Sequence, residues 1–504
     1  MTSETLAPAS KVSRRLTEKT ATEVCELIYL PRLRDFANGF GYLTEINEAH
    51  VLMLHKQGLM STPIAGKISR ALIEMDEAGP GAVTLDPQRE DSYFNYEAHL
   101  IAKIGGDAGG RMHTARSRND ILATIDRLRG RDMVIELIDG LAEVRRAALD
   151  QAERYARVVM PGYTHLQPAQ PITYGFYLAG VAQALERDTD RLIEAYKHID
   201  RSPMGAGAFA GTPFPIDREE TARLLGFGSV IEHTMDAVAS RDFVFEVMGA
   251  LTVLAATWSR VAQDYFVWAT DEFALIEFPD SVAGTSSIMP QKKNPVVLEY
   301  LKGRSGHVLG LFTGAITAVK GTNFSHTGDA NRESVAGFWE TGRECLNALK
   351  LLRLVIESAA PREDAMLKRA RENFCSATDL ADAMVSQANV PFRNAHHIVG
   401  AVVREALDRG MTADKITLDM VERAARDQLG HDLVFSEDLL QSCLDPGVSV
   451  SQRQSGGPAF EAVSKVIDAA AARLAQQSDA NAQRRHGLAE TRTRRRAQTQ
   501  ALAA

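Results

Sequence analysis

Three short segments of the 504-residue chain gather side chains able to do chemistry. The first is His113-Thr114-Ala115-Arg116-Ser117-Arg118-Asn119-Asp120. An arginine fork matches a carboxylate bidentately, and Ser117 and Asn119 set neutral donors beside Arg118. The same run also fits a row of ion pairs at a helix start. The second segment is Met160-Pro161-Gly162-Tyr163-Thr164-His165-Leu166-Gln167. It carries a histidine, the side-chain type whose unperturbed pKa of ~6.5 suits proton transfer near neutral pH, although a single histidine is more often structural. The third is Gly284-Thr285-Ser286-Ser287-Ile288-Met289-Pro290-Gln291-Lys292-Lys293-Asn294-Pro295. Fixed cationic and amide donors such as Lys292 and Asn294 stabilise negative charge as it develops. Taken singly, a serine beside glycine is a turn residue and an exposed lysine is solvated. The four cysteines, Cys25, Cys345, Cys375 and Cys443, are scattered and never at CxxC spacing, which argues against a cysteine-based zinc site and for reduced cytosolic thiols.

These segments need long elements to carry them, and the prolines show where such elements fit. Proline is absent from 88–160, 216–278 and 296–360. It costs roughly 3 kcal/mol inside a helix, so these stretches are where long helices can form. Between them lie loops dense in proline and glycine at 160–171, 203–215 and 279–295. Leu178, Val181, Leu185 and Leu192 recur on one helix face. Segments 243–269 and 296–320 are apolar nearly all round and are expected inside a helix bundle, the second with glycines that allow close approach. Faces this long need more helices than one chain supplies, so oligomerisation is expected.

Composition narrows the class. Apolar residues at 45% exclude disorder over most of the length. No uninterrupted apolar window is long enough for a membrane span, and the first twenty residues lack the apolar core of a secretory leader. The net charge of −8 argues against general nucleic-acid binding. From Ala475 onward six arginines face only Asp479 and Glu490, a local +4, and this end is expected to be a frayed, solvated tail.

The third segment resembles the signature loop of the fumarase/aspartase superfamily, G-S-S-x-M-P-x-K-x-N-P. The first two are similar to H-T-G-R-S-R-N-D and M-P-G-Y-T-H-L-Q of argininosuccinate lyases. Leu444-Asp445-Pro446 followed by Gly456-Gly457-Pro458-Ala459 is similar to that family's C-terminal L-D-P…G-G-x-A. The resemblance implies an all-α, three-domain fold with a central long-helix bundle. It also implies a homotetramer with a twenty-helix core and active sites shared between subunits, and the scattered cysteines with no leader place it in the cytoplasm. The expected division is an N-terminal helical domain at 1–115, a central bundle at 116–370, a C-terminal domain at 371–474 and a basic, disordered tail at 475–504.

The implied reaction is reversible anti elimination of fumarate from an N-substituted aspartate, without metal or organic cofactor. By the resemblance, Ser286 is the base, used as an alkoxide, with Ser287 beside it as a lesser substitute. Lys292 and Asn294 hold the charge that develops on the substrate carboxylate. Ser117, Arg118, Asn119 and Thr164 bind the succinyl group. His165, oriented by Glu299, serves the protonation of the leaving nitrogen.

The chain departs from the family where the amine would lie. The family's opening W-G-G-R-F has no counterpart before Val24. Its E-D-x-H becomes Glu90-Asp91-Ser92-Tyr93, and the aspartate after its N-P pair is Val296. Its K-G-L-P-x-x-Y-N-x-D-x-Q-E, followed by lysine, becomes the segment Lys320 to Arg332, with His326, Thr327 and Asn331 replacing Tyr, Asn and Gln, and Ser334 replacing the lysine. A site built to hydrogen-bond one polar group rejects others, because unpaired buried donors are costly. With the fumarate half intact and the amine half rewritten, the sequence is that of a carbon–nitrogen lyase paralogue. His326 and Asn331 are expected among the substrate-binding residues, and argininosuccinate lyase itself is the alternative. A non-enzymatic structural body would have lost Ser286, Lys292, Asn294, His165 and Glu299, and the H-T-x-R-S-R-N-D form argues against elimination of oxygen.

Overall fold

The structure, a computed structural model, describes residues 15–16 and 18–504; most of the first twenty residues, where a secretory leader would stand, lies outside them. The chain is mostly helical, and strands among the described residues form only three two-stranded pairs.

The first helical body is built on α1 (Phe36–Lys56), α2 (Thr62–Ala78) and α3 (Ser92–Ile104). Phe40, Leu43, Leu72, Tyr93 and Tyr96 close its core, which extends to Leu128 in the next helix. That helix, α4 (Arg118–Arg154), starts where Ser117 and Asp120 form a capping box. Two orphan backbone donors are satisfied at once, so the start is fixed.

The bundle core then forms around α4, α5 (Tyr174–Ile199), α6 (Asp242–Trp268), α7 (Val296–Val319) and α8 (Phe338–Ser358). The proline-free stretches supply α4, α6, α7 and α8. The four periodic positions Leu178, Val181, Leu185 and Leu192 are all buried. In α6, Val247, Leu251 and Trp258 join the core, and Trp258 Nε1 donates to the Leu301 carbonyl at 2.9 Å. This helix is long and apolar enough to cross a membrane by composition, but half of its most apolar window is buried inside the protein.

Helix α7 differs from the expectation of a buried bundle helix. Only Leu298, Leu301, Val308 and Ala315 are buried in it, while Leu309 is 52% exposed and Ile316 40% exposed. Gly303, Gly306, Gly310 and Gly314 have open space where a side chain would stand. Its apolar character therefore exceeds what the chain itself covers.

The loop expected at 160–171 contains a hairpin, β1 (Val159–Thr164) paired antiparallel with β2 (Gln167–Thr173). A separate core at 380–444, with Leu380, Ile398, Val402, Met420 and Leu440, joins α9 (Ala377–Ala388), α10 (Phe392–Asp408), α11 (Leu418–Leu429) and α12 (Glu437–Leu444).

The basic tail expected at 475–504 is corrected: α13 runs from Phe460 to Ala503 without a break. Its arginines have partners far away in sequence. Arg492 pairs with Glu45 at 3.0 Å and Asp132 at 2.6 Å, Arg495 with Glu48 at 3.1 Å, and Arg496 with Glu48 at 2.5 Å and Asp76 at 3.1 Å. Arg495 is only 3% exposed. A guanidinium buried this deeply requires such carboxylates, and they fasten the last helix to the first helical body.

Candidate active site

At the start of α4, Ser117 Oγ accepts the Asn119 amide at 3.3 Å, and the Ser117 amide donates to Asp120 Oδ1 at 3.0 Å. Asp120 Oδ2 accepts the amides of Gly205 and Gly207 at 3.1 and 2.9 Å, and Asn119 Nδ2 donates to the Ala208 carbonyl at 3.1 Å. The glycine-rich 203–215 loop is thus tied to the helix start. Burial pushes the Asp120 carboxyl up to about 6 even against these amides.

Arg118 is engaged within the chain. Its Nη1 pairs with Glu90 Oε2 at 2.7 Å and with Asp91 Oδ2 at 3.0 Å. The ion-pair reading of this helix start therefore holds in part, since the Arg118 guanidinium is anchored by the Glu90-Asp91 dipeptide. Asp91 also caps α3 by accepting the Phe94 amide at 3.1 Å. Next to it, the Tyr93 hydroxyl meets Glu97 Oε1 at 2.9 Å and His113 Nδ1 at 2.5 Å. Burial and Arg116 hold His113 down to about 4.

The rewritten segment lies against this cluster. Arg332 Nη2 reaches the same Asp91 Oδ2 at 3.4 Å, and Arg118 lies close enough to both Arg332 and His326 to lower their proton affinities. His326 is half-buried, and burial with Arg241, Arg332 and Arg118 holds it down to about 4. Asn331 is 5% exposed; its Nδ2 donates to the Thr327 carbonyl at 3.0 Å while its Oδ1 is buried without a partner. Thr327 is hydrogen-bonded to Asp329, and Ser334 Oγ donates to the Ala330 carbonyl at 2.5 Å. Ser334 is fully buried, so it does not stand in for a ligand-facing lysine.

The other two segments are open. Thr164, His165 and Leu166 are exposed at the tip of the β1–β2 hairpin. His165 and Leu166 have φ of 56° and 57°, values that residues with a Cβ rarely adopt. The Ser286 loop is closed at its base by paired amide–carbonyl bonds of 2.8 Å between Gly284 and Asn294. Ser286 Oγ accepts the Met289 amide at 3.1 Å and the Ile288 amide at 3.4 Å. Two amides directed at one hydroxyl oxygen favour its ionised form. Lys293 pairs with Asp280 at 2.9 Å, whereas Ser287 and Lys292 are exposed. Asn294 Nδ2 donates to the Thr285 carbonyl at 3.1 Å, so it braces the loop in this conformation. Glu299 is exposed in the first turn of α7.

Within one chain, then, the structure unites Ser117, Arg118 and Asn119 with the His326–Arg332 segment. Among the described residues no hydrogen bond or ion pair connects that cluster with the His165 turn or the Ser286 loop, or His165 with Glu299. Nor does any group of three or more His, Cys, Asp or Glu stand where a metal could be held. Sequence reasoning missed the anchoring role of Glu90 and Asp91 and the position of Arg332. The acidic pair preceding an arginine-rich motif was the available signal for the first.

Comparison with known proteins is consistent across the chain. The family model described as lyase matches residues 46–310, and that described as argininosuccinate lyase C-terminal matches residues 374–451. The argininosuccinate lyase 1 of Shouchella clausii is 39% identical over 88% of this chain and 89% of that protein. The argininosuccinate lyase of Methanocorpusculum labreanum is also 39% identical, over 86% of this chain and 87% of that one. A fumarate-bound variant of an EDDS lyase superposes with a TM-score of 0.87 at 31% identity, covering 99% of both chains.

Proposed function

The chain belongs to the argininosuccinate lyase family of the fumarase/aspartase superfamily, and from that premise we propose that it is a carbon–nitrogen lyase releasing fumarate reversibly, by anti β-elimination, from an N-substituted aspartate. The observation that carries this reading is the Ser286 loop: the hydroxyl is placed under two backbone amides, on the loop that also bears Lys292.

The β-proton of a succinyl group is weakly acidic, because its carbanion forms beside an ionised carboxylate. Ser286, as an alkoxide favoured by the Met289 and Ile288 amides, takes that proton. Lys292 holds the charge that develops on the adjacent carboxylate, with Asn294 once the loop closes on substrate. Arg118, steadied by Glu90 and Asp91, faces the other carboxylate with Ser117, Asn119 and Thr164 beside it. The leaving nitrogen is protonated from the His165 side, Glu299 fixing the imidazole.

Sites shared between subunits of a homotetramer are supported by the lack of any hydrogen bond or ion pair, among the described residues, that joins these three groups within one chain. The exposed leucine and isoleucine of α7 and its open glycine positions are the faces on which copies would pack. We place the enzyme in the cytoplasm, in amino-acid metabolism, which fits its four free, buried cysteines. The test is direct: fumarate is incubated with candidate amines and amino acids and followed by proton NMR. Formation of an N-substituted aspartate from at least one of them is expected. Hydration of fumarate to malate in their place, or no reaction with any, would overturn the reading.

A further inference from the structure

We propose that α13 is a positioning strap for the helix start that carries Ser117, Arg118 and Asn119: Arg492, Arg495 and Arg496 fix α1, and α1 fixes that start through His50. The lyase reading enters only in naming what the helix start binds, and the strap itself is tested without it.

The strap lies beyond both segments that match the family models, which end at residues 310 and 451. Its seat is specific. Leu474, Asn481, Leu488 and Arg495 are buried at seven-residue steps along one face. Two of these four are polar. Asn481 Nδ2 donates to Asp139 Oδ1 at 2.7 Å and to the Ile135 carbonyl at 3.0 Å, both in α4. A polar residue at such a seam position fixes register, because sliding the helix by one turn, ~5.4 Å, would leave it buried without its partners. The end of the strap is seated as closely. Arg70 Nη2 donates to the Ala503 carbonyl at 2.5 Å, and a Cβ at Gly66 would come within 2.7 Å of the Leu502 carbonyl oxygen.

Each of the three arginines joins separate elements. Arg492 pairs with Glu45 of α1 at 3.0 Å and with Asp132 of α4 at 2.6 Å. Arg496 pairs with Glu48 of α1 at 2.5 Å and with Asp76 of α2 at 3.1 Å. Arg495 holds Glu45 and Glu48, each at 3.1 Å, and donates to the Leu224 carbonyl at 3.1 Å. Among the described residues, the ion pairs of Glu45 and Glu48 are all with these arginines. Glu48 is 3% exposed, so without them α1 would carry a buried carboxylate lacking its counter-charge, which is strongly unfavourable. Helix α1 therefore keeps its place against α4 only while α13 is seated.

The other side of α1 faces the motif. His50 follows Glu48 by two residues, more than half a helical turn away, and is 1% exposed. Its Nε2 donates to the Thr114 carbonyl at 2.9 Å. Thr114 stands three residues before the Ser117 cap, across the left-handed Ala115. Burial and the nearby Arg116 push the His50 proton affinity well below its ordinary value, so the ring is a fixed donor. A run of contacts thus leads from α13 through α1 to the turn that orients Arg118.

The test uses the full chain and hydrogen–deuterium exchange. Arg492→Gln should cut the protection of amides 114–121 by roughly 10- to 150-fold, the size of a hydrogen bond to a charged group, and leave amides 243–268 of α6 unchanged. Arg492→Lys keeps the charge but not the fork and should restore part of the protection. His50→Leu should give the same local loss, and adding Arg492→Gln to it should give little more, since both act along one route. In fumarate addition followed by proton NMR, Arg492→Gln should raise KM by a similar factor with kcat within about threefold, because a loosened Arg118 weakens ground-state and transition-state binding alike. Unchanged protection at 114–121, additive losses in the double variant, or a fall in kcat at constant KM overturns the strap. Should Arg492→Gln not fold, Arg492→Lys is read by the same criteria. If the wild type adds no amine to fumarate, the lyase reading fails and exchange alone decides the strap.

Discussion

The cluster around Arg118 and the two open loops are built in opposite ways. In the cluster nearly every charged group has a partner inside the chain: Arg118 with Glu90 and Asp91, Arg241 with Asp126, Asp120 with the 203–215 loop. In the loops the reactive side chains are exposed or half-buried, and contacts within their own segments hold them: a left-handed turn at His165, and a bridged base at Gly284 braced by Asn294. Under the proposed function, the groups that recognise the succinyl part are wired in, while those that carry the proton transfers are left open. This contrast is what the proposed sharing of sites between subunits rests on.

The largest effect should come from dividing the two loops. Ser286→Ala and His165→Asn should each lower turnover by several orders of magnitude while leaving fold and assembly intact, since His165 is exposed and Ser286 is only half-buried, on a loop outside the core. Mixed after subunit exchange, the two inactive proteins should recover activity, because some sites then draw an intact loop and an intact turn from different chains. No recovery in verified mixed oligomers would show that each chain completes its own site, and the contrast between wired and open regions would lose its meaning.

Next in size is the effect of the rewritten amine side. Thr327 and Ser334 are spent on bonds within their own segment. Each polar partner lost to arginine costs roughly 1–3 kcal/mol, or about 5- to 150-fold. Argininosuccinate should therefore be cleaved with a kcat/KM below the ordinary range of about 10⁴–10⁸ M⁻¹s⁻¹. A value inside that range, from steady-state kinetics, would make the chain an argininosuccinate lyase with a re-formed arginine pocket.

What the sequence made legible and what it hid follow the same division. Long helices were legible because proline is excluded from them, and the face of α5 because its apolar residues recur in step. The open loops were legible because their residues are local to one segment. Arg118 was legible as a fork but its partners were not, since Glu90 and Asp91 meet it only through tertiary packing. The arginines of α13 looked like a tail for the same reason: Glu45, Glu48, Asp76 and Asp132 lie hundreds of residues earlier. Helix α7 read as buried because composition does not say whether the covering face belongs to the same chain.

A smaller effect concerns pH and tests how firmly the cluster is sealed. His326 faces Arg241, Arg332 and Arg118 and is held near 4, against 6.5 when free. Between those values the unfolded chain binds a proton that the folded chain refuses. Stability is therefore present above about pH 6.5 and is lost as pH falls toward 4. His326→Gln lacks this loss, so its stability relative to wild type should improve on acidification by on the order of 1 kcal/mol, the partial exposure of the ring limiting the size. His113 behaves in the same direction, and Asp120, raised to about 6, in the opposite one, but both are common to the two proteins and cancel in the difference. Urea midpoints at pH 7 and pH 4.5 measure it; a constant difference would mean that His326 is open to solvent and that the cluster resembles the loops after all.

The smallest effect lies at the hinge of the wired side. Ala115 has φ of 64°, and it stands where the resembling family motif has glycine. A left-handed conformation costs a residue with a Cβ roughly 1–2 kcal/mol. It is held because it presents the Thr114 carbonyl to the buried His50 Nε2 at 2.9 Å and sends the chain on to the Ser117 cap. Ala115→Gly removes the strain but enlarges the conformational freedom of the unfolded chain, which offsets about 0.4–1 kcal/mol. The net expectation is a stability gain between about zero and 1.6 kcal/mol, read from the urea midpoint, with turnover changed by less than about twofold. A loss of stability would mean that the Ala115 methyl makes packing contacts worth more than its backbone strain. A large loss of activity with stability unchanged would mean that the strain itself holds Ser117 and Arg118 in register, and the strained His165 turn would then not be the only place where this protein fixes reactive groups through an unfavourable backbone.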